Sequence, residues 1–205
     1  MEDFKFVILC VAYLSLLVEL VFFPVPSVAS TYQLVLVDKT HKRTKSRLNT
    51  IKDWPIWKKL LILFIPVLIN VTVFLLPFFF SLNIIEWDMI LNQHFFTALG
   101  VIFLLSGRSM TFFSVIQIKK INKSIDHQKY LHQKGWFRWS RNPGLLGMYI
   151  FILGVWLLYS QLLFLVGIIF YIFFMHFKIL LEEEYLMEKF GEKYQQYLKQ
   201  TRRYL

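Results

Sequence analysis

Five stretches of this chain are apolar over close to the ~20 residues that an α-helix needs to cross a bilayer, and no other feature constrains its fold as strongly. Four are clear runs and one is interrupted: Phe4–Phe23, Leu60–Phe80, Ile90–Ser106, Leu145–Tyr159 and Leu162–Leu181. Hydrocarbon offers backbone amides no hydrogen-bond partner, so segments of this kind span as helices. The expected fold is therefore all-α, a polytopic membrane bundle of about five transmembrane helices. Composition agrees, since 57% of the 205 residues are hydrophobic, more than a soluble domain of this size can hide in one core. Glu2 and Asp3 precede the first run, and that run is too long for a signal peptide, so it reads as a retained helix.

The positions of lysine and arginine orient the spans. Lys39, Lys42, Arg43, Lys45, Arg47, Lys52, Lys58 and Lys59 fall between Pro24 and Lys59. A second group, Arg108, Lys119, Lys120, Lys123, Lys129, Lys134, Arg138 and Arg141, falls between Gly107 and Pro143. Both segments are expected on the cytoplasmic side, because the opposite links, SLNIIEWD and YSQ, carry neither residue. Five spans then give an outside N-terminus and a cytoplasmic C-terminus. This dispersed loop charge accounts for the formal +10 without a nucleic-acid partner. Along Ser27–Trp57 the chain is expected to lie at the interface, with Trp54 and Trp57 as anchors.

The last two runs are joined by only Ser160 and Gln161, which predicts an antiparallel helical hairpin with Asn142 at its start close to Glu182 at its end. Asn142 suits a helix cap and Pro143 the first helical position, leaving first-turn N–H groups free to meet an anion. Gly144, Gly147 and Gly154 share one narrow face, which favours close helix packing and would also admit a flat ligand. At the other end Glu182, Glu183 and Glu184 fan around the helix, so they cannot all face one pocket. Lys178 and Glu182 have the i, i+4 spacing of an intrahelical ion pair, but that pair leaves the rest of the acidic triplet unexplained. Carboxylates at a membrane boundary mark a candidate site.

The ordered pair GWFRWSRNPGLLG and EEEYLMEKFGEKYQQYLKQTRR resembles the isoprenylcysteine carboxyl methyltransferase family and its phospholipid methyltransferase relatives. The residues that carry the resemblance are Arg141, Asn142 and Pro143, then Glu182, Glu183, Leu186, Phe190, Gly191, Tyr194 and Tyr197, within about Asn122 to Arg203. The resemblance implies an S-adenosylmethionine site at the cytoplasmic end of the hairpin, touching Tyr130, Leu131, His132, Phe137, Asn142, Pro143, Gly144, Leu145 and Glu182. It puts Lys178 where relatives hold an arginine near the acceptor. Asn142 and Leu145 stand where relatives more often have histidine and tyrosine, so backbone contacts are expected there rather than side-chain contacts. By this resemblance residues 107–205 form the catalytic region, and residues 1–106 supply N-terminal membrane helices and a basic interfacial loop.

The activity implied is S-adenosylmethionine-dependent methyl transfer to a lipidic acceptor that reaches the site from the membrane, with a carboxylate as in the isoprenylcysteine enzymes expected first and a phospholipid amine as the alternative. A carboxylate acceptor, as in the isoprenylcysteine enzymes, needs only orientation, which Lys178 could supply, whereas an amine acceptor must lose a proton, with Glu183 the nearest candidate to take it. Lysine lacks the bidentate fork of arginine, so carboxylate recognition at Lys178 would be less specific than in those relatives. A sterol-reductase-like protein using NADPH, or a non-catalytic protein of the same fold, are the other readings. The five histidines show no metal-ligand spacing and the lone Cys10 sits in an apolar run, so no metal site is expected. The absence of a glycine-rich strand-to-helix fingerprint excludes a soluble Rossmann-type methyltransferase.

Overall fold

The computed structural model describes residues 2–22, 47–85, 90–91, 94–122, 131 and 133–204. Its described α-helices are α1 (Glu2–Phe22), α2 (Arg47–Lys52), α3 (Ile56–Ser81), α4 (His94–Asn122), α5 (Pro143–Tyr159), α6 (Leu162–Phe190) and α7 (Glu192–Gln200), with a 3₁₀ turn at Gly135–Arg138. No strand forms among the described residues beyond a single bridge pairing Ser140 with Arg202, so the all-α expectation holds. Three of these helices, α3, α4 and α6, are long and apolar enough to cross a membrane, and α5 is a shorter apolar helix. Leu68 on α3, Ile102 on α4 and Phe173 on α6 remain exposed, as side chains that meet lipid do. The molecule is an integral membrane protein.

The helices assemble around glycine. α5 packs along α4 through a matched set of small residues: a Cβ added at Gly147 would stand 2.8 Å from the Gly107 carbonyl oxygen, and one at Gly100 would stand 2.9 Å from the Gly154 oxygen. Thr111 ties the two helices further, donating to the carbonyls of Gly107 at 3.0 Å and Gly144 at 3.3 Å. The small-residue face is thus a helix–helix contact at Gly147 and Gly154. Gly144 stands apart, since a Cβ there would meet only Ser114 at an ordinary 3.7 Å. Beside this pair, Leu9, Val73, Leu104, Phe151 and Phe164 form one buried cluster that joins α1, α3, α4, α5 and α6.

One sequence reading is corrected here. Arg108, counted with the loop cations, lies mid-helix because α4 continues unbroken from His94 to Asn122. It is half-buried against α1, paired with the buried Glu19 and donating to Ser15 through Nε and Nη2, both at 2.7 Å. An ionic partner and two hydrogen bonds compensate a cation that the apolar surroundings would otherwise exclude. Trp54 is partly buried and packs against Ile51 and Leu181, a second buried cluster, while Trp57 is exposed. Residues 27–46 of the proposed interfacial segment lie outside the described residues.

The predicted hairpin is present. Ser160 adopts a left-handed conformation, φ 39°, to reverse the chain between α5 and α6. Its carbonyl and hydroxyl oxygens accept from Ile90 and Leu91, and its hydroxyl donates to the Leu91 carbonyl. This ties the hairpin tip to the α3–α4 connection, so the open end of the hairpin, at Asn142 and Glu182, is held by a braced rather than a free pair of helices.

Candidate active site

At the open end, the chain is folded back by Gly191, whose φ of 54° turns α6 into α7. α7 then lies across the 3₁₀ turn: Tyr194 and Tyr197 are buried, and the Tyr197 hydroxyl donates to the Phe137 carbonyl at 2.6 Å. Burial pushes the Tyr197 phenol up to about 12, with the Arg141 charge working in the other direction, and burial followed by Glu183 raises Tyr194 as well. Both phenols therefore remain neutral hydrogen-bond donors at physiological pH. The 3₁₀ turn is fixed at its other side by Gln117 of α4, which donates to the Lys134 carbonyl and accepts from the Trp136 N–H.

The tail beyond α7 completes the arrangement. The Arg141 N–H donates to the Arg202 carbonyl at 2.9 Å, and the Ser140 hydroxyl and Asn142 amide both donate to the Arg203 carbonyl, at 3.1 and 3.3 Å. Asn142 consequently does not cap α5, contrary to the sequence reading, because its side-chain amide is drawn to the tail. Its backbone N–H is satisfied by the Ser140 hydroxyl at 3.1 Å. The first turn of α5, starting at Pro143, is left without a side-chain cap.

Glu183 is the electrostatic centre. Arg203 meets it with two N–H groups, Nε to Oε1 at 3.0 Å and Nη2 to Oε2 at 2.7 Å, and Arg141 Nη1 lies 3.2 Å from Oε1. The hydrogen bonds to Glu183 are the main reason the Arg203 guanidinium holds its proton more firmly than usual. Glu182 points to a different side, with its Oε1 3.8 Å from Lys178 Nζ. Between these groups lies a cleft of about 120 Å³. Its polar wall is Arg141, Asn142, Glu182 and Glu183, and its apolar wall includes Leu131, Phe137, Ile179 and Phe190.

Of the residues expected at the donor site, Leu131, Phe137, Asn142 and Glu182 line this cleft together. Pro143, Gly144 and Leu145 open α5 directly behind Asn142, and Tyr130 and His132 lie outside the described residues. Glu183 also lines the cleft, whereas Lys178 lies one turn away on α6, beside Glu182. Arg203 and Tyr204 carry no role in the sequence reading, yet the first clamps Glu183 and the second bonds His176 Nδ1 through its hydroxyl at 2.8 Å. The only sequence signal for them is the basic, aromatic tail TRRYL after a short amphipathic helix.

Arg141 adds an observation that bears on a ligand. Its Nε is buried and has no hydrogen-bond partner among the described residues, although Arg141 lines the cleft. Together with uncapped N–H groups at the start of α5, this supplies donors for a carboxylate, and Glu182 supplies an acceptor for an ammonium. An amino-acid zwitterion has that pair of groups.

Residues 94–193 match the phospholipid methyltransferase family. This stretch runs from the first residue of α4 into α7 and includes the first motif, with Arg141–Pro143, and the second from Glu182 to Gly191, while Tyr194 and Tyr197 lie just beyond it, so the resemblance to a membrane methyltransferase family stands. It is a match to a methyltransferase family, and it leaves α1 to α3 outside. No curated protein and no solved structure matches the chain significantly.

Proposed function

We propose that the protein transfers a methyl group from S-adenosylmethionine to an amphiphilic lipid held in the membrane. The observation that carries this reading is the convergence of Arg141, Asn142 and Glu182, from two segments distant in sequence, on one cleft within the methyltransferase-family region. In this reading Glu182 holds the donor's ammonium, while Arg141 and the first-turn N–H groups of Gly144 and Leu145 hold its carboxylate. Phe137 and Leu131 offer an apolar wall to the adenine, with Tyr130 and His132 adjoining in sequence. At about 120 Å³ the cleft is smaller than the ~300–1,000 Å³ of sites that enclose a drug-sized molecule, so it fits one end of the donor.

When bound, S-adenosylmethionine supplies an already activated methyl group. The protein's task is then alignment and exclusion of water, which needs few acid–base groups. Glu183 fits a positioning role: its oxygens face Arg203 and Arg141, and through them it holds the tail against the Arg-Asn-Pro turn. The family match favours an amine of a phospholipid headgroup as acceptor. A carboxylate acceptor, as in isoprenylcysteine carboxyl methyltransferases, is the second reading, and the cationic Lys178 next to the cleft favours it. In either case the site faces the cytoplasm, by the charge of the flanking loops.

The test is binding and turnover with the purified protein. Labelled S-adenosylmethionine should bind and NADPH should not, and methyl should appear in an aminophospholipid or a prenylated cysteine carried in the same vesicles. Binding of NADPH alone would replace the methyltransferase reading with a reductase one, and binding of neither would leave a non-catalytic member of the fold.

A further inference from the structure

On α6, His176, Ile179 and Glu183 succeed one another at steps of three and four residues and so share one face. Ile179 and Glu183 line the cleft. His176 continues the same face ~9 Å below Glu182 at 1.5 Å per residue, toward the apolar body of the helix. It is half-buried, and the tail covers it: its Nδ1 is 2.8 Å from the Tyr204 hydroxyl, and the two rings lie 6.1 Å apart. Tyr204 is itself backed by Tyr149 of α5 at 6.0 Å, and Tyr149 by Tyr171 of α6 at 6.1 Å. The ion pair Glu183–Arg203 sits nearly two turns above His176, and Lys178, paired with Glu182, lies on another face of the same helix. No hydrogen bond reaches His176 Nε2 among the described residues.

We propose that His176 is the proton acceptor for an amine acceptor lipid, oriented by Tyr204; this rests on the methyltransferase reading and on its amine form. An alkylammonium headgroup has no lone pair and cannot attack until it loses a proton. In the tautomer with hydrogen on Nδ1, that N–H donates to the Tyr204 oxygen and Nε2 is the basic nitrogen, directed away from the tail. The ammonium N–H bond breaks toward Nε2, and its electron pair stays on nitrogen as the lone pair that forms the new N–C bond. The electron pair of the methyl–sulfur bond remains on the donor's sulfur, which leaves as a neutral thioether. The imidazolium passes its proton to water at the cytoplasmic mouth. Glu183 is not needed for this transfer, which agrees with its engagement by two arginines.

The test uses the full chain in vesicles containing a primary-amine phospholipid, with donor affinity measured separately by calorimetry. His176→Ala should lower kcat/KM at neutral pH about a hundredfold, as loss of a general base does, while the donor Kd stays within about twofold. Two recoveries are expected of a lost base and of no merely structural role: activity should rise with added imidazole, and it should climb toward wild type at alkaline pH, where the amine deprotonates unaided. His176→Gln, which retains a hydrogen bond to Tyr204, should show the same loss and the same alkaline recovery. Unchanged kcat/KM in either variant, or a loss that neither imidazole nor alkaline pH restores, overturns the proposal. Wild-type protein that binds donor but methylates only carboxylates overturns the amine acceptor and His176 with it, whereas failure of donor binding itself overturns the methyltransferase reading.

Discussion

Arg203 grips Glu183 with two parallel N–H groups, at 3.0 and 2.7 Å, and its own carbonyl is held by Ser140 and Asn142. One tail residue thus joins the end of α6 to the turn that opens α5. If this clamp positions the cleft, Arg203→Ala should weaken donor binding by about 1.5–3 kcal/mol, the range for hydrogen bonds to a charged group. It should also speed amide exchange over residues 200–204. Arg203→Lys, which keeps the charge but loses the fork, should fall between the two. Wild-type exchange in Arg203→Ala would show that the tail is held by its backbone bonds alone.

The glutamate assignment is tested by neighbours. Glu182 lines the cleft and Glu184 does not. Glu182→Gln should therefore weaken S-adenosylmethionine binding by about 1.5–3 kcal/mol, and Glu184→Gln should leave it nearly unchanged. Equal losses in calorimetry would contradict the division of the triplet by helical face.

The α4–α5 contact makes a prediction about stability. Gly154 faces the backbone of Leu104 and Gly100 so closely that even a methyl group would force the helices apart. Gly154→Ala should cost about 1–3 kcal/mol, the usual penalty of overpacking, read as a lower unfolding midpoint in detergent. Gly144→Ala should cost little, because a Cβ there meets Ser114 at 3.7 Å. The contrast distinguishes close packing from a general need for glycine on this face.

Much of this arrangement was legible in the sequence because it depends on local periodicity or short links. The two-residue connection at Ser160–Gln161 forces the hairpin, and the hairpin forces Asn142 toward Glu182. The glycine spacing likewise announced a close contact. What was not legible are pairings whose partners share no period and no neighbourhood in the chain. Nothing in the spacing of Glu19 and Arg108 says that they meet, and an arginine just beyond an apolar run reads as loop charge until the helix is seen to continue. His176, Arg203 and Tyr204 were silent for the same reason: a side chain that acts by tertiary contact leaves no trace in hydropathy.

The membrane orientation expected from the loop cations can be checked by labelling. Cysteines introduced at Lys45, Lys123 and Gln200 should react with an impermeant reagent only from the cytosolic side, and one at Asn83 only from the opposite side. The cleft lies at the end of the hairpin near Gln200, so this fixes which compartment supplies the donor. Labelling of Lys123 and Asn83 positions from the same side would remove a span from between them and with it the five-span topology.

Lys178 separates the two acceptor readings. Its Nζ is 3.8 Å from Glu182 Oε1, so the charge can either orient the carboxylate proposed to hold the donor or meet the acceptor. If it neutralises an acceptor carboxylate, Lys178→Met should raise KM for that acceptor or lower turnover while donor Kd holds, because the charge touches only the second substrate. Lys178→Arg should retain or improve activity, since a fork suits a carboxylate better. If its role is to hold Glu182, Lys178→Met should instead raise the donor Kd with every acceptor alike. With an amine acceptor a third pattern is expected: a cation beside an ammonium opposes its binding, so removing the charge should lower KM for the aminophospholipid. Donor calorimetry and acceptor kinetics on this single variant therefore read out carboxylate transfer, amine transfer or a purely intrahelical pair, and unchanged values in both would take Lys178 out of the site.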